Sequence, residues 1–220
     1  MNKFDLIIFD CDGVLVDSER IANEVFANIL NQEFGFNLSL ADMFEMFVGR
    51  SSQQCMELIE ELVGRKPPED LEARYKNEIN QVLALSVEPV NGIEKALAEI
   101  SVPYCVASSG TYDKMRTTLG KTQLLPMFEG RLHSTSDVER GKPYPDIYLH
   151  AAKSMGVTDV TKCLVVEDSS LGVKGGVSAG MTVFGYCELM NEQKLTEAGA
   201  HHTFSNMAAL SKEIEDYSFH

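Results

Sequence analysis

The chain has 220 residues, 44% of them hydrophobic and 24% charged, which suits one large or two small packed domains and excludes a disordered chain. A formal net charge of −14, with lysine and arginine dispersed, argues against nucleic acid or an anionic membrane surface as a partner. The five cysteines are odd in number and form no Cys-x-x-Cys pair, so they read as reduced thiols and as neither a disulfide framework nor a zinc site.

In chain order, the first candidate strand is 6–10, an apolar run too short for a signal peptide or a membrane span, so the cytoplasm is the expected location. Ser18 can cap a helix carrying Ile21, Val25 and Ile29 that stops near Gly35. Ser39 can cap a second, with Leu40, Met43, Phe44 and Phe47, ending at Gly49. Ser51 or Ser52 opens a third with Met56 and Ile59, and Gly64 stops it. Pro67 and Pro68 precede a fourth with Leu71, Tyr75, Ile79 and Val82. Further strands are expected at 104–108, 131–134, 163–167, 181–185 and 202–204. Between them a helix begins near Pro145-Asp146 and carries Ile147, Ala151 and Met155, and another runs from Ser170 to Gly180.

Strands alternating with helices predict an α/β fold with a doubly wound parallel sheet, Rossmann-like in its core. The connection from Asp10 to Tyr104 is far longer than the roughly dozen residues a crossover needs, and its excess is helical. The expected organisation is therefore a core of 1–14 and 85–220 with an inserted four-helix cap domain at 15–84.

In such sheets active residues lie past the C-terminal ends of strands. There the sequence offers Asp10 and Asp12, then Ser108 and Ser109, then Lys142 in a Gly-Lys-Pro turn, then Glu167 and Asp168. Singly each reads more simply as a turn, a cap or a solvated charge. Together they describe a site. Carboxylates converging on one crevice raise one another's pKa values unless a cation sits among them. With only hard oxygen ligands offered and no convergent His or Cys, that cation is expected to be Mg²⁺. Attack of a carboxylate on a phosphoryl group needs the metal and Lys142 to neutralise charge, while Ser108 and amides of the following helix can hold phosphoryl oxygens. One carboxylate would be nucleophile and a second the acid/base.

The run from Asp10 to Glu19, with Ser108, Lys142 in Gly-Lys-Pro-Tyr-Pro-Asp, and Glu167-Asp168, resembles the four motifs of the haloacid dehalogenase superfamily in its helical-cap branch. The resemblance spans essentially the whole chain. It implies that Asp10 is nucleophile and metal ligand, and that Asp12 is the acid/base and binds the metal through its backbone carbonyl. Asp168, with Glu167, would complete the metal site. Within the branch the chain looks most like sugar-phosphate phosphatases of the bacterial 6-phosphogluconate phosphatase type, on 110–121 and 150–155. The implied partner is a small phosphorylated metabolite, and a monomer is the default expectation for the oligomeric state, which the sequence itself leaves open.

Arg50, after Gly49, opposes a helix dipole and gains no stability from its place, and in relatives this loop contacts substrate. The other reading is a solvated arginine. Cys11 is expected to pack on the opposite face of the strand end from the aspartates, and His150, His201, His202 and His220 read as structural or solvated.

Two other activities fit parts of the pattern. A phosphoacceptor signalling domain would need neither the helical insertion nor Asp12. A sugar-phosphate mutase of the β-phosphoglucomutase type shares the nucleophile and metal but carries a histidine ten residues beyond the second aspartate. Here that position is Ala22.

Overall fold

In a computed structural model, residues 3–47 and 52–218 are described. The chain forms two compact units, 1–17 with 88–220, and 18–87.

The first unit is built on β1 (Leu6–Phe9). After the helical unit come α5 (Ile93–Glu99), β2 (Tyr104–Ser108), α6 (Tyr112–Lys121), α7 (Leu125–Phe128) and β3 (Leu132–Ser134), where α1 to α4 denote the four helices of the second unit given below. Then follow α8 (Asp146–Ser154), β4 (Cys163–Glu167), α9 (Ser170–Ser178), β5 (Thr182–Tyr186), α10 (Glu192–Glu197), β6 (His202–Phe204) and α11 (Leu210–Asp216). The strands form one six-stranded sheet in the order β3-β2-β1-β4-β5-β6, every pair parallel. β1 is central, pairing Ile7 with Tyr104 on one side and Leu164 on the other. The order reverses beside β1, and past the strand ends at such a reversal open parallel sheets ordinarily bind their ligands.

Both faces of the sheet are covered, which is why its strands read as continuous apolar runs. On one face Leu6, Ile8, Cys105 and Val165 pack against Ile147, Tyr148 and Ala151 of α8 and Val173 of α9. On the other, Phe9 meets Phe128 edge to face at 6.4 Å and Phe184 meets Tyr217 at 5.0 Å.

The observed strands follow the expected ones closely. β5 starts one residue late because the Met181 amide donates to the Gly176 carbonyl and so belongs to the end of α9. Asp10 lies just past β1, although its amide still donates to Val166.

The second unit holds α1 (Ser18–Phe34), α2 (Leu40–Met46), α3 (Ser52–Val63) and α4 (Leu71–Ser86). Ser39 and Asp42 form a capping box at α2, so the stop-and-start reading there rests on a real cap. Phe26, Leu30, Met43, Ile59 and Leu71 make the core, with Phe26 against Phe47 and Tyr75. The stop expected at Gly49 lies outside the described residues. The unit boundaries fall a few residues beyond those expected. Val90 donates to the Leu15 carbonyl and Asp17 to the Glu88 carbonyl, which ties 15–17 into the sheet-bearing unit.

Ile8 is fully buried in the central strand. Ile8→Ala should lower unfolding stability by about 2–5 kcal/mol, read as a shift in the urea midpoint.

Candidate active site

The C-terminal ends of β1, β2 and β4, and the turn before α8, bring the expected groups together. Asp10, Glu167 and Asp168 each place a carboxylate oxygen within 4.8 Å of the others, and all three are buried. Lys142 sits among them. Its Nζ donates to Asp10 Oδ1 and to Glu167 Oε1, each at 2.6 Å. The turn that delivers it is braced by Arg140, which grips Asp146, the first residue of α8, through two hydrogen bonds of 3.0 and 3.1 Å.

Burial alone would lower the Lys142 ammonium, but Asp10 and Glu167 outweigh it and hold the group well above its ordinary value. Burial pushes Asp10 up to about 7, with Lys142 pulling it down and Glu167 and Asp12 pushing it further up. The Asp10 value describes the protein without a metal.

Glu167 is fully buried and fully engaged. Oε1 accepts from Lys142 and, at 3.1 Å, from the Tyr148 hydroxyl; Oε2 accepts from the Ser169 amide at 2.7 Å and its hydroxyl at 2.9 Å. A carboxylate has about four lone-pair directions, and the chain's own donors fill them here. Ser169 also caps α9 by accepting from the Gly172 amide. Gly172 leaves the room this needs: a Cβ there would lie 1.7 Å from Glu167 Oε1.

Asp12 pairs with Lys114, Nζ to Oδ2 at 2.8 Å. Lys114 lies in the first turn of α6, whose cap is Thr111. Ser108 is buried and accepts from the Gly110 amide at 3.0 Å. A Cβ on Gly110 would stand 3.7 Å from Asp12 Oδ2, so the turn after β2 runs beside Asp12. Ser109 is exposed, and its carbonyl accepts from Thr135.

Seven of the nine expected residues therefore lie at these strand ends and turns: Asp10, Asp12, Ser108, Ser109, Lys142, Glu167 and Asp168. Gly49 and Arg50 lie outside the described residues. Cys11 is buried, and burial with the neighbouring aspartates raises its thiol well above the ordinary value, so it packs. Lys114, Tyr148 and Gly172 were not anticipated. Tyr148 and Lys114 each stand on a helix that follows an expected site residue, and their sequence spacing was the only available signal. Of the two readings given for His150, structural or solvated, the structure favours the first, since it faces His133 and Asp137.

The buried carboxylates of Asp10 and Asp168 offer only oxygen and fit a hard divalent cation, whereas Glu167, expected as a further ligand, has its oxygens taken up by Lys142, Tyr148 and Ser169. Among the described residues no helix is long and apolar enough to cross a membrane.

Comparison with known proteins gives a consistent result. The family model for haloacid dehalogenase-like hydrolases matches residues 4–180. A 6-phosphogluconate phosphatase of Escherichia coli (strain K12) is 35% identical over 188 residues, spanning 85% of this chain and 84% of that protein. Among solved structures, a haloacid dehalogenase-like protein of unknown function from Agrobacterium tumefaciens superimposes with a TM-score of 0.91 at 35% identity, covering 96% of this chain and 98% of that one. A hydrolase of the family from Deinococcus radiodurans, with phosphate and sodium bound, gives 0.83 at 27% identity and covers 98% of each chain.

Adding a methyl group at a helical glycine ordinarily stabilises by about 0.5–1 kcal/mol. Gly172→Ala should do the opposite and destabilise by about 1–3 kcal/mol, because the methyl would displace the Glu167 carboxylate. Thermal and urea unfolding give the sign directly.

Proposed function

Because the chain belongs to the haloacid dehalogenase-like hydrolases, we propose that it is a Mg²⁺-dependent phosphatase acting on a small phosphorylated metabolite, a sugar phosphate such as 6-phosphogluconate, through a phospho-aspartate on Asp10. The observation that carries this reading is Lys142 held between Asp10 and Glu167, with Asp168 alongside. A buried ammonium fixes one oxygen of a buried carboxylate, and the group of carboxylates has the composition of a Mg²⁺ seat. The similarity to 6-phosphogluconate phosphatase supports the substrate class, and the phosphate in the Deinococcus hydrolase supports a phosphoryl ligand.

Asp10 attacks phosphorus, and the bond from phosphorus to the leaving oxygen breaks as Asp12 supplies that oxygen with a proton. Asp12 then takes a proton from water. The water oxygen attacks phosphorus, the bond to Asp10 breaks, and inorganic phosphate leaves. Lys114 orients the Asp12 carboxylate for both transfers. Ser108 and the amides opening α6 take phosphoryl oxygens. Asp10 and Asp168 would hold Mg²⁺ directly, with the Asp12 carbonyl, and the oxygens of Glu167 are spent on Lys142, Tyr148 and Ser169. Mg²⁺ supplies charge neutralisation at the phosphoryl oxygens. The sequence carries alanine at position 22, where the mutase type carries a histidine, which favours water as the acceptor.

Phosphate release from 6-phosphogluconate should vanish with EDTA and return with Mg²⁺. Mass spectrometry of acid-quenched enzyme should find phosphate on Asp10 and none in Asp10→Asn. Full turnover in excess chelator, or in Asp10→Asn, would exclude the mechanism.

A second expectation concerns pH. Asp10 is raised to about 7 in the metal-free protein, so below that pH a cation must displace its proton. Mg²⁺ affinity by calorimetry should be nearly flat from pH 7.5 upward and fall as pH drops below 7, approaching about tenfold per pH unit. A constant affinity from pH 6 to 8 would remove Asp10 from the ligand set.

A further inference from the structure

At the β3 edge of the sheet, on either side of the Lys142 turn in sequence, three side chains with ligand chemistry meet. His133 lies in β3, Asp137 in the turn that follows, and His150 on α8. Each brings one ligand atom within 4.8 Å of the other two. The histidine rings stand edge to face with centroids 5.4 Å apart, and His150 Nε2 is 3.9 Å from Asp137 Oδ2.

We propose that His133, Asp137 and His150 bind a borderline divalent cation, with Zn²⁺ the ion whose ligand chemistry fits best.

A cluster of this kind can be mere packing, and one observation argues otherwise. His133 is 4% exposed, and its Nε2 is buried without a hydrogen-bond partner, alone in this among the buried side-chain nitrogens and oxygens of the described residues. Leaving a buried polar nitrogen unpaired is costly, and native proteins rarely tolerate it without a ligand, water or functional reason. Burial, helped by the neighbouring His150, keeps the His133 imidazole below its ordinary value, so it is neutral and keeps a lone pair to donate.

The carboxylate is already oriented. Asp137 Oδ2 accepts from the Ser134 amide at 3.1 Å and from the Tyr112 hydroxyl at 2.5 Å, the outer contacts that metal-ligating carboxylates commonly have. Two imidazoles and one carboxylate select zinc-like ions over Mg²⁺, which takes oxygen ligands. Zinc bonds of about 2.0–2.2 Å require the ligand atoms to draw together by roughly 1 Å. His150 can make that movement, since its side chain is 40% exposed. Asp137 is also exposed, which leaves a fourth position open to water.

The test uses the full chain, stripped of metal and then held in excess Mg²⁺ so that the oxygen site stays occupied. Zn²⁺ is titrated by calorimetry while the histidine ring nitrogens are followed by NMR. Binding of one equivalent should shift the His133 and His150 ring resonances and leave those of His201 and His202 in place. Zn²⁺ should also raise the thermal midpoint. His150→Gln and Asp137→Asn, both at accessible positions, should weaken Zn²⁺ binding at least about tenfold while keeping the midpoint of the zinc-free protein. Unmoved His133 and His150 resonances, or wild-type Zn²⁺ affinity in both variants, would overturn the proposal.

Discussion

The candidate site depends on one buried cation. Lys142 lies between Asp10 and Glu167 with both contacts at 2.6 Å, and its side chain is 5% exposed. Taking an ammonium and two carboxylates out of water is expensive, and a triad of this kind survives only when each partner is satisfied by further hydrogen bonds. Much of the surrounding architecture supplies them. Tyr148 comes from α8, Ser169 from the cap of α9, and the turn carrying Lys142 is tied to α8 by Arg140 and Asp146. The same α8 covers the sheet through Ile147 and Ala151. Packing of the core and placement of the charged groups are therefore one problem, solved by one helix.

Glycine decides how closely α9 can come. Gly172 clears the Glu167 carboxylate, and a Cβ at Gly176 would lie 2.8 Å from a Val183 methyl. A helix with side chains at both places would stand off from β4 and β5 and could not bring the Ser169 cap onto Glu167. The low helix propensity of glycine is accepted here for a short approach distance.

The sheet and its strand ends were legible in the sequence because a buried parallel strand is a short apolar run, and Asp10, Asp12, Ser108, Ser109, Glu167 and Asp168 stand at or just past the ends of such runs. Asp10, Ser108 and Glu167 needed only that pattern. The order of the strands was not legible, since nothing local to β4 says that it pairs with β1. Lys114, Tyr148 and Gly172 were missed for a related reason. Each belongs to a helix, and the group it serves is set by how that helix lies on the sheet. His133 and His150 are the clearest case. They come from a strand and a helix separated by the Lys142 turn, and only the packing of α8 against β3 makes them neighbours.

Charge explains why these strand ends would take a divalent cation before an anionic substrate. Asp10, Asp12, Glu167 and Asp168 bring four negative charges when ionised, and Lys142 and Lys114 bring two positive ones, leaving a local balance of −2 (−4 + 2) on a chain of net −14. A phosphoryl group of about −2 would be repelled by that balance. A proton on Asp10 relieves part of the repulsion, which agrees with its elevated pKa, but it would also disable Asp10 in the nucleophilic role proposed for it. A divalent cation relieves all of it and leaves Asp10 ionised. Under the proposed mechanism a metal and a proton would compete for the same excess charge, and only the first outcome would yield a site able to receive a phosphate ester and attack it.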